Sequence, residues 1–586
     1  MAESTPTMDN SDEDLYNVPD YLTSYCEEGG NSPPTPQSDY VPPPGKVTVL
    51  SAGQETVSLG FSLPDNSVRY TLQIDYSCNT QRGSLVTEDS STLTVGGLNP
   101  GTEYTFSIIR IADNGNQSKA TSLSVFTEPS PPVQITVYQV SSESLCLRWD
   151  TPAGEVESYI VTCCSEGDIM QELTTDTTNL TLSNLNPGVC YSLQVSTQLR
   201  NGRKSEPSVT TVHTKTQLEG LLEDLGLEQH YTKKLSLSTI LQIDEKSITD
   251  EPAKRNSDLP WYFLKKLMMV NVTARNVKCT SVCESNYEDP SVNTELDLDN
   301  LVNSLYSGDI LNPLDMITAL FLCSDGFVMQ EMALKMSMCQ FSVPLLLPNC
   351  DTKQCTLMLW SMRDIVKKYR PQSLLQSKGF LEQRIVLSEL PMISFVRLGE
   401  CSLSKSEILN KLLSNSQQYH DTFVHHDMEC GDSPRKISNG LAEITWYLPC
   451  GNKNMDVFSE PVAVTNLRGD IALFETQFSF LCQTSAAVFV FFDKWDSKCE
   501  LLTNQHHKAQ IFLVGNHQSK HFNLNALKKV ATKLGLTNSN ILLKAKHMND
   551  ADFVKTLRKT VSNVVENTKM KMGIEQMANI AHELGI

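Results

Sequence analysis

The strand-like run Ile393-Ser394-Phe395-Val396 leads into Gly399-Glu400-Cys401-Ser402-Leu403-Ser404-Lys405-Ser406, and Glu407 to Leu413 then has helical spacing. A glycine-initiated loop between strand and helix, closed by Lys and a hydroxyl residue, has the parts needed to hold a phosphate chain. Backbone N–H groups at the helix start would cradle the β- and γ-phosphates, Lys405 would add a point charge, and the Ser406 hydroxyl would ligate magnesium. Ser404 stands where such loops usually have Gly; it is small and carries a donor of its own.

Three further positions follow in the order a GTP-binding domain would need. Asn466-Leu467-Arg468-Gly469 comes after the run Val462-Ala463-Val464, in the place of an Asp-x-x-Gly, so Gly469 is expected to offer its amide to the γ-phosphate. Val514-Gly515-Asn516-His517-Gln518-Ser519 stands in the place of an Asn-Lys-x-Asp, with Asn516 as the matching residue, and Lys544-Ala545-Lys546 follows the next strand. Two substitutions weaken the chemistry. Asn466 replaces a carboxylate with a neutral amide, a poorer ligand for a hard cation, and Ser519 replaces the Asp that would read guanine. Ser433 and Ser438 are the candidate switch hydroxyls, and Arg435 is either a charge-stabilising Arg or a solvated surface residue. No residue stands out to position an attacking water, so no catalytic residue is assigned.

The elements that must position this loop are strands alternating with helices from residue 390 to 570, the pattern of a mostly parallel wound sheet. The strands are expected at Ile393–Val396, Val462–Val464, Val488–Phe492, Ile511–Val514 and Ile541–Leu543. Residues 571–586 read as the start of a further helical region. Upstream, 217–389 reads as mainly helical, with Leu218, Leu221, Leu222 and Leu225 at helical intervals and Pro313, Pro344, Pro348 and Pro371 as breaks. Asn286 to Asn300 reads as an acidic linker. Met329, Met332, Met336 and Met338 fit core positions better than an adaptable binding face.

Residues 43–128 and 129–215 are short alternating runs separated by Gly, Pro and Asn turns, a β-sandwich pattern. Leu98, Pro100, Gly101, Tyr104, Asn114, Gly115 and Ser118 recur 87 residues later as Leu185, Pro187, Gly188, Tyr191, Asn201, Gly202 and Ser205. The Leu-Asn-Pro-Gly-x-x-Tyr segment has the spacing of a tyrosine corner. With Trp149 in one copy and Phe61 in the other, both resemble fibronectin type III domains, which implies a spacer or protein-contact role and no chemistry.

Composition bounds the partners. The chain has 586 residues, 68 acidic against 48 basic, and a formal charge of -20, which argues against nucleic acid. Residues 1–44 hold eight prolines and an acidic cluster and read as a disordered leader. No basic n-region precedes an apolar run, and no apolar stretch is long enough to span a bilayer, so an intracellular soluble protein is expected. An extracellular adhesion protein would rest on the sandwiches alone. The 17 cysteines lack finger spacing, and Cys163/Cys164, Cys279/Cys283 and Cys350/Cys355 have no matching second pair, so reduced thiols are expected in preference to zinc. The sequons at Asn116, Asn179 and Asn271 then carry no glycan.

Several strings match one family in order: Asp258 to Arg275, Asn312-Pro-Leu-Asp315, Ala319 to Cys323, Val343 to Asp351, Gly399 to Ser406 and Trp446 to Gly451. They resemble the interferon-induced very large GTPases and the related up-regulator of cell proliferation, over about residues 217–586. The resemblance implies a GTP-binding, dynamin-like protein of the cytoplasm or nucleus, linked to the interferon response, using GTP and magnesium and self-assembling. Such proteins are far longer, so an N-terminal portion or short form is expected. The expected architecture is multidomain: two all-β fibronectin type III-like sandwiches, a mainly helical middle region and an α/β P-loop GTPase-like domain. The expected nucleotide-binding residues are Gly399, Ser404, Lys405, Ser406, Gly469 and Asn516, with Ser406 on magnesium. The competing expectation is a non-catalytic scaffold, motivated by Ser404, Asn466 and Ser519.

Overall fold

The computed structural model describes residues 40–586 apart from 63–69, 89, 243–252, 277, 279–309, 351, 353, 377–378, 416, 495–499 and 504–506. The expected leader up to residue 39, and the expected linker Asn286 to Asn300, lie outside the described residues. The chain divides into two compact units, one built around the first sandwich and the other holding the sheet that carries the Gly399–Ser406 loop.

In the first sandwich, Val47–Ala52, Thr56–Phe61 and Thr92–Gly96 form one sheet, and Arg82–Glu88, Thr71–Ser77, Glu103–Ile111 and Thr121–Phe126 the other. Alternation along Glu103–Ile111 turns Tyr104, Phe106 and Ile108 inward, as a period of two requires. The Asn99 amide donates to the Tyr104 hydroxyl at 2.9 Å, which is the tyrosine corner expected from spacing. The second sandwich repeats it: the Asn186 amide donates to Tyr191 at 2.8 Å, and Trp149 packs edge-on against Tyr159 at 5.3 Å.

From residue 217 to 338 the described elements are helices. Gln217–Asp224 opens with a reciprocal capping box, the Glu219 amide donating to the Thr216 hydroxyl at 3.1 Å and the Thr216 amide to the Glu219 carboxylate at 2.9 Å. Pro313–Leu322 is buried along almost its whole length, and Gly326–Met338 buries Met332 and Met336 while Met338 is exposed. The helical expectation for 217–389 fails beyond residue 342. Val343–Pro348 and Cys355–Leu357 are strands of the main sheet, and Val366–Tyr369 pairs with Leu381–Arg384 in a hairpin. Pro344 sits at a register irregularity and Pro348 at the strand end, two places where a strand tolerates proline.

The main sheet has eight strands in the order Cys355–Leu357, Val343–Pro348, Ala442–Tyr447, Val462–Leu467, Met392–Arg397, Ala487–Phe492, Gln510–Asn516, Ile541–Lys544. The last five in that order run parallel. Ala442–Tyr447 joins antiparallel and connects them to the remaining two. Their near-continuous apolar sequences follow from burial on both faces: all six side chains of Ala487–Phe492 are buried. Phe395, Phe489 and Phe512 lie in register across three strands and stack at 5.0 and 4.6 Å between ring centres. Such pairs add about 0.5–1.5 kcal/mol each beyond their buried area. Within residues 571–586, Ile574–Glu583 is a helix as expected, and just before it Met572 and Leu390 exchange backbone hydrogen bonds at 3.0 and 3.3 Å.

Candidate functional site

Met392–Arg397 lies between Val462–Leu467 and Ala487–Phe492, parallel to both, so the strand order reverses across it. A crevice opens beyond the strand ends at such a reversal, and ligands of open α/β sheets bind there. The loop starts where the Leu398 amide donates to Phe491 O at 2.9 Å and Gly399 takes a φ of +65°, a conformation suited to glycine. It ends at the helix Lys405–Leu413. The Ser404 side chain makes no capping bond there, leaving a helix N-terminus of the kind that favours anions. At the other end of this helix, Arg558 of the helix Asp550–Asn567 donates to Leu412 O at 3.1 Å and Lys411 O at 2.5 Å. Asp550 binds Lys411 at 3.0 Å and also Lys544, and these two ammonium groups hold its carboxyl below the usual range.

Two groups outside the loop brace it. The Ser402 amide donates to Asp493 Oδ2 at 2.7 Å, and Asn516 Nδ2 donates to Ser402 Oγ at 2.9 Å. Asp493, at the end of Ala487–Phe492, is 5 % exposed. Asn516, expected from its place in the sequence to meet the base, reaches the loop through Ser402, while Ser519 lines the second part of the crevice.

Beneath the loop is a buried polar network. Lys405 Nζ donates to Leu467 O at 2.8 Å, to Phe395 O at 3.4 Å and to Asn466 Oδ1. Asn466 Nδ2 donates to Ser406 Oγ at 3.1 Å and Glu443 Oε2 at 3.3 Å. Its orientation follows from its neighbours, because a lysine only donates and an ionised glutamate only accepts. Arg468 Nη1 donates to Ser406 Oγ at 2.8 Å and to Val424 O at 2.8 Å, and Arg468 Nε pairs with Glu443 Oε2 at 2.5 Å. Burial, and then the neighbouring Arg468 and Arg397, lowers the Lys405 pKa well below its ordinary value. A phosphate here would reverse that penalty by supplying the missing anion.

This network answers whether magnesium fits. Ser406 Oγ accepts from two N–H donors, which uses both of its lone pairs and leaves none for a cation. The Asn466 oxygen faces Lys405, and Glu443 is engaged by Arg468, Asn466 and the Ser342 hydroxyl, the last at 2.6 Å. The residues present do not fit the magnesium role expected for Ser406.

The cavity over Lys405 and Ser406 has a volume of about 430 Å³ and is lined on its far side by Ser433, Pro434 and Arg435. Asp315 holds that wall. Its buried carboxylate accepts from the amides of Lys436, Ile437 and Ser438 at 2.6, 3.1 and 2.8 Å and from the Ser438 hydroxyl at 2.6 Å. Asn312 Nδ2 adds a bond to Ser433 O at 2.8 Å. Ser438 thus serves the wall, whereas Ser433 lines the cavity. Arg435 is half-buried at the cavity instead of solvated at the surface, with its pKa lowered to about 10 by burial and by Arg468 and Arg397. Gly469 also lines this cavity, at φ +86°, where a Cβ would meet the Phe474 ring at 2.7 Å. A second cavity of about 770 Å³, sharing Arg397, Cys401 and Ser402 with the first, is lined by Asp493, Ser519 and Lys520.

All six residues singled out in the sequence as nucleotide-binding lie at or against this crevice: Gly399, Ser404, Lys405, Ser406, Gly469 and Asn516. Sequence reasoning missed Glu443, Asp493 and Asp315, whose signal was a lone acid at an otherwise apolar strand or helix. It also missed that Glu407, His425, His426 and Asp427 bring ligand atoms within 4.8 Å of one another, since the first two are far apart in sequence. His426 and Asp427 of that group are open to solvent.

Residues 311–586 match the up-regulator of cell proliferation-like domain, 218–297 its N-terminal domain, and 42–127 and 130–214 the fibronectin type III domain. The human "Up-regulator of cell proliferation" is 36% identical over 391 residues, covering 64% of this chain and 42% of that protein. The human "Interferon-induced very large GTPase 1" is 30% identical over 389 residues, covering 62% of this chain and 15% of that protein. The chain spans less than half the length of either relative. A two-domain fibronectin type III segment of chicken tenascin is 25% identical with a TM-score of 0.24, covering 29% of this chain and 99% of the segment.

Proposed function

We propose that the crevice above Gly399–Ser406 binds a guanine nucleotide, on the basis that residues 311–586 and 218–297 match the up-regulator of cell proliferation-like domain and its N-terminal domain. One observation carries the reading: an uncapped helix N-terminus, a buried Lys405 and the arginines 397, 435 and 468 converge on one cavity at the reversal point of the sheet. A cluster of cations and amides with so little paired carboxylate suits a phosphate chain. Guanine is favoured because a relative over the same region is named a GTPase. In this reading Gly399, Ser404, Lys405 and Gly469 meet the phosphates, and Asn516 braces the loop from the side of the base. The proposal concerns binding; these groups hold charge and offer no base for water.

The sandwiches would make protein contacts. Asp168–Thr175, an edge strand, exposes Ile169, Met170 and Leu173, and open edges with apolar side chains favour strand addition. The same proposal has the protein working in the cytoplasm or nucleus and self-assembling.

A second reading, a scaffold without nucleotide, is favoured by one contact: the Asp493 carboxylate already holds the Ser402 amide, which a phosphate would otherwise receive. Displacement of a fluorescent GTP analogue from the full chain distinguishes the two. Competition by GTP and GDP, with ATP weaker, supports the first; no bound analogue supports the scaffold.

A further inference from the structure

Resting on the nucleotide reading above, we propose that the phosphate end of this crevice takes a nucleoside polyphosphate as the metal-free anion, with the Arg468 guanidinium standing where a divalent cation would otherwise bridge protein and phosphate. A phosphate loop ordinarily needs magnesium for two tasks, to neutralise charge between the outer phosphates and to tie them to the loop hydroxyl and a nearby carboxylate. Here both attachment points are bound to donors. Ser406 Oγ receives Arg468 Nη1 at 2.8 Å and Asn466 Nδ2 at 3.1 Å. The position that would supply a carboxylate is Asn466, and its oxygen is turned to Lys405. A hydrated dication entering here would have to displace a guanidinium that is itself paired with Glu443 at 2.5 Å, both side chains being at most 5 % exposed.

The charge that magnesium would bring is already present. Arg397, Lys405, Arg435 and Arg468 line the cavity, and Asp432 is the only carboxylate among its described lining residues. Donor capacity is left over as well: Arg468 Nη2 and Arg397 Nε are buried without a hydrogen-bond partner. A buried guanidinium N–H with no acceptor is costly, and an anionic phosphate oxygen is a strong single acceptor for such a donor. An arginine carries a permanent charge and does not dissociate, so affinity should not depend on divalent cation concentration.

The test is titration of the full chain with GTP, once in excess magnesium and once in excess EDTA. The expected dissociation constants agree within about twofold. Binding in magnesium that weakens about tenfold or more in EDTA overturns the metal-free mode and leaves the nucleotide reading standing. No binding in either condition overturns both. Sodium tripolyphosphate, added in EDTA, should displace bound GTP, because the recognised part is the polyphosphate. GTP binding in EDTA that tripolyphosphate does not compete with would place the nucleotide elsewhere and overturn the assignment to Arg468.

Discussion

The Asp493 carboxylate accepts the Ser402 amide at 2.7 Å, so a buried acid occupies one of the N–H groups that an anion in the loop would use. Its charge also faces the phosphate path. Asp493→Asn keeps an acceptor for Ser402 and removes the charge. GTP should then bind about three- to tenfold more tightly, a gain of the size expected from removing one screened like charge. Unchanged or weaker binding by calorimetry would mean that Asp493 does not oppose the phosphates.

Glu443 is the counter-ion of the network. Glu443→Gln leaves Arg468 buried without an anion, and breaking a buried pair from one side costs about 3–5 kcal/mol. Urea unfolding should show that loss. A change within about 0.5 kcal/mol, the range of ordinary surface substitutions, would contradict the pairing.

Asp315 should act at a distance through the cavity wall. Asp315→Asn turns an acceptor of four hydrogen bonds into a group whose amide confronts the same donors. Amide exchange at Lys436, Ile437 and Ser438 should accelerate, and GTP affinity should fall because Arg435 loses its fixed position. Exchange unchanged at those three amides would remove Asp315 from this role.

These predictions fall on residues that were unevenly legible in the sequence. The parallel strands were readable because burial on both faces demands continuous apolar runs, as in Val488 to Phe492, and the sandwiches were readable because a period of two and an 87-residue repeat are local or regular signals. The loop was readable because its chemistry lies within eight consecutive residues. The network was not: Ser406, Glu443 and Arg468 meet only through the sheet, and an isolated Glu in a strand looks the same whether it faces water or a buried guanidinium. Val343–Pro348 was misread because proline weighs against a strand, and only the register irregularity at Pro344 and the place of Pro348 at the strand end make it acceptable.

Burial also sets a pH response. The His420 pKa lies below the ordinary imidazole range because burial disfavours the imidazolium, with Asp421 opposing in part. The unfolded chain therefore binds the proton first as pH falls. Stability from the neutral ring is complete above the unfolded pKa and is lost as pH drops toward the folded one. The melting temperature should fall between about pH 7 and pH 5, and less steeply in His420→Gln. An equal slope in the variant would exclude His420 as a source.

The central claim is that a nucleotide sits on Gly399–Ser406, and Lys405 tests it most directly. Isothermal titration of the full chain with GTP should give saturable heat at one site per chain. Lys405→Ala should abolish it while the protein still melts cooperatively, since the variant removes the charge at the helix start that the phosphates require. No heat from GTP, GDP or ATP with the wild-type chain, or undiminished GTP affinity in Lys405→Ala, would contradict the account.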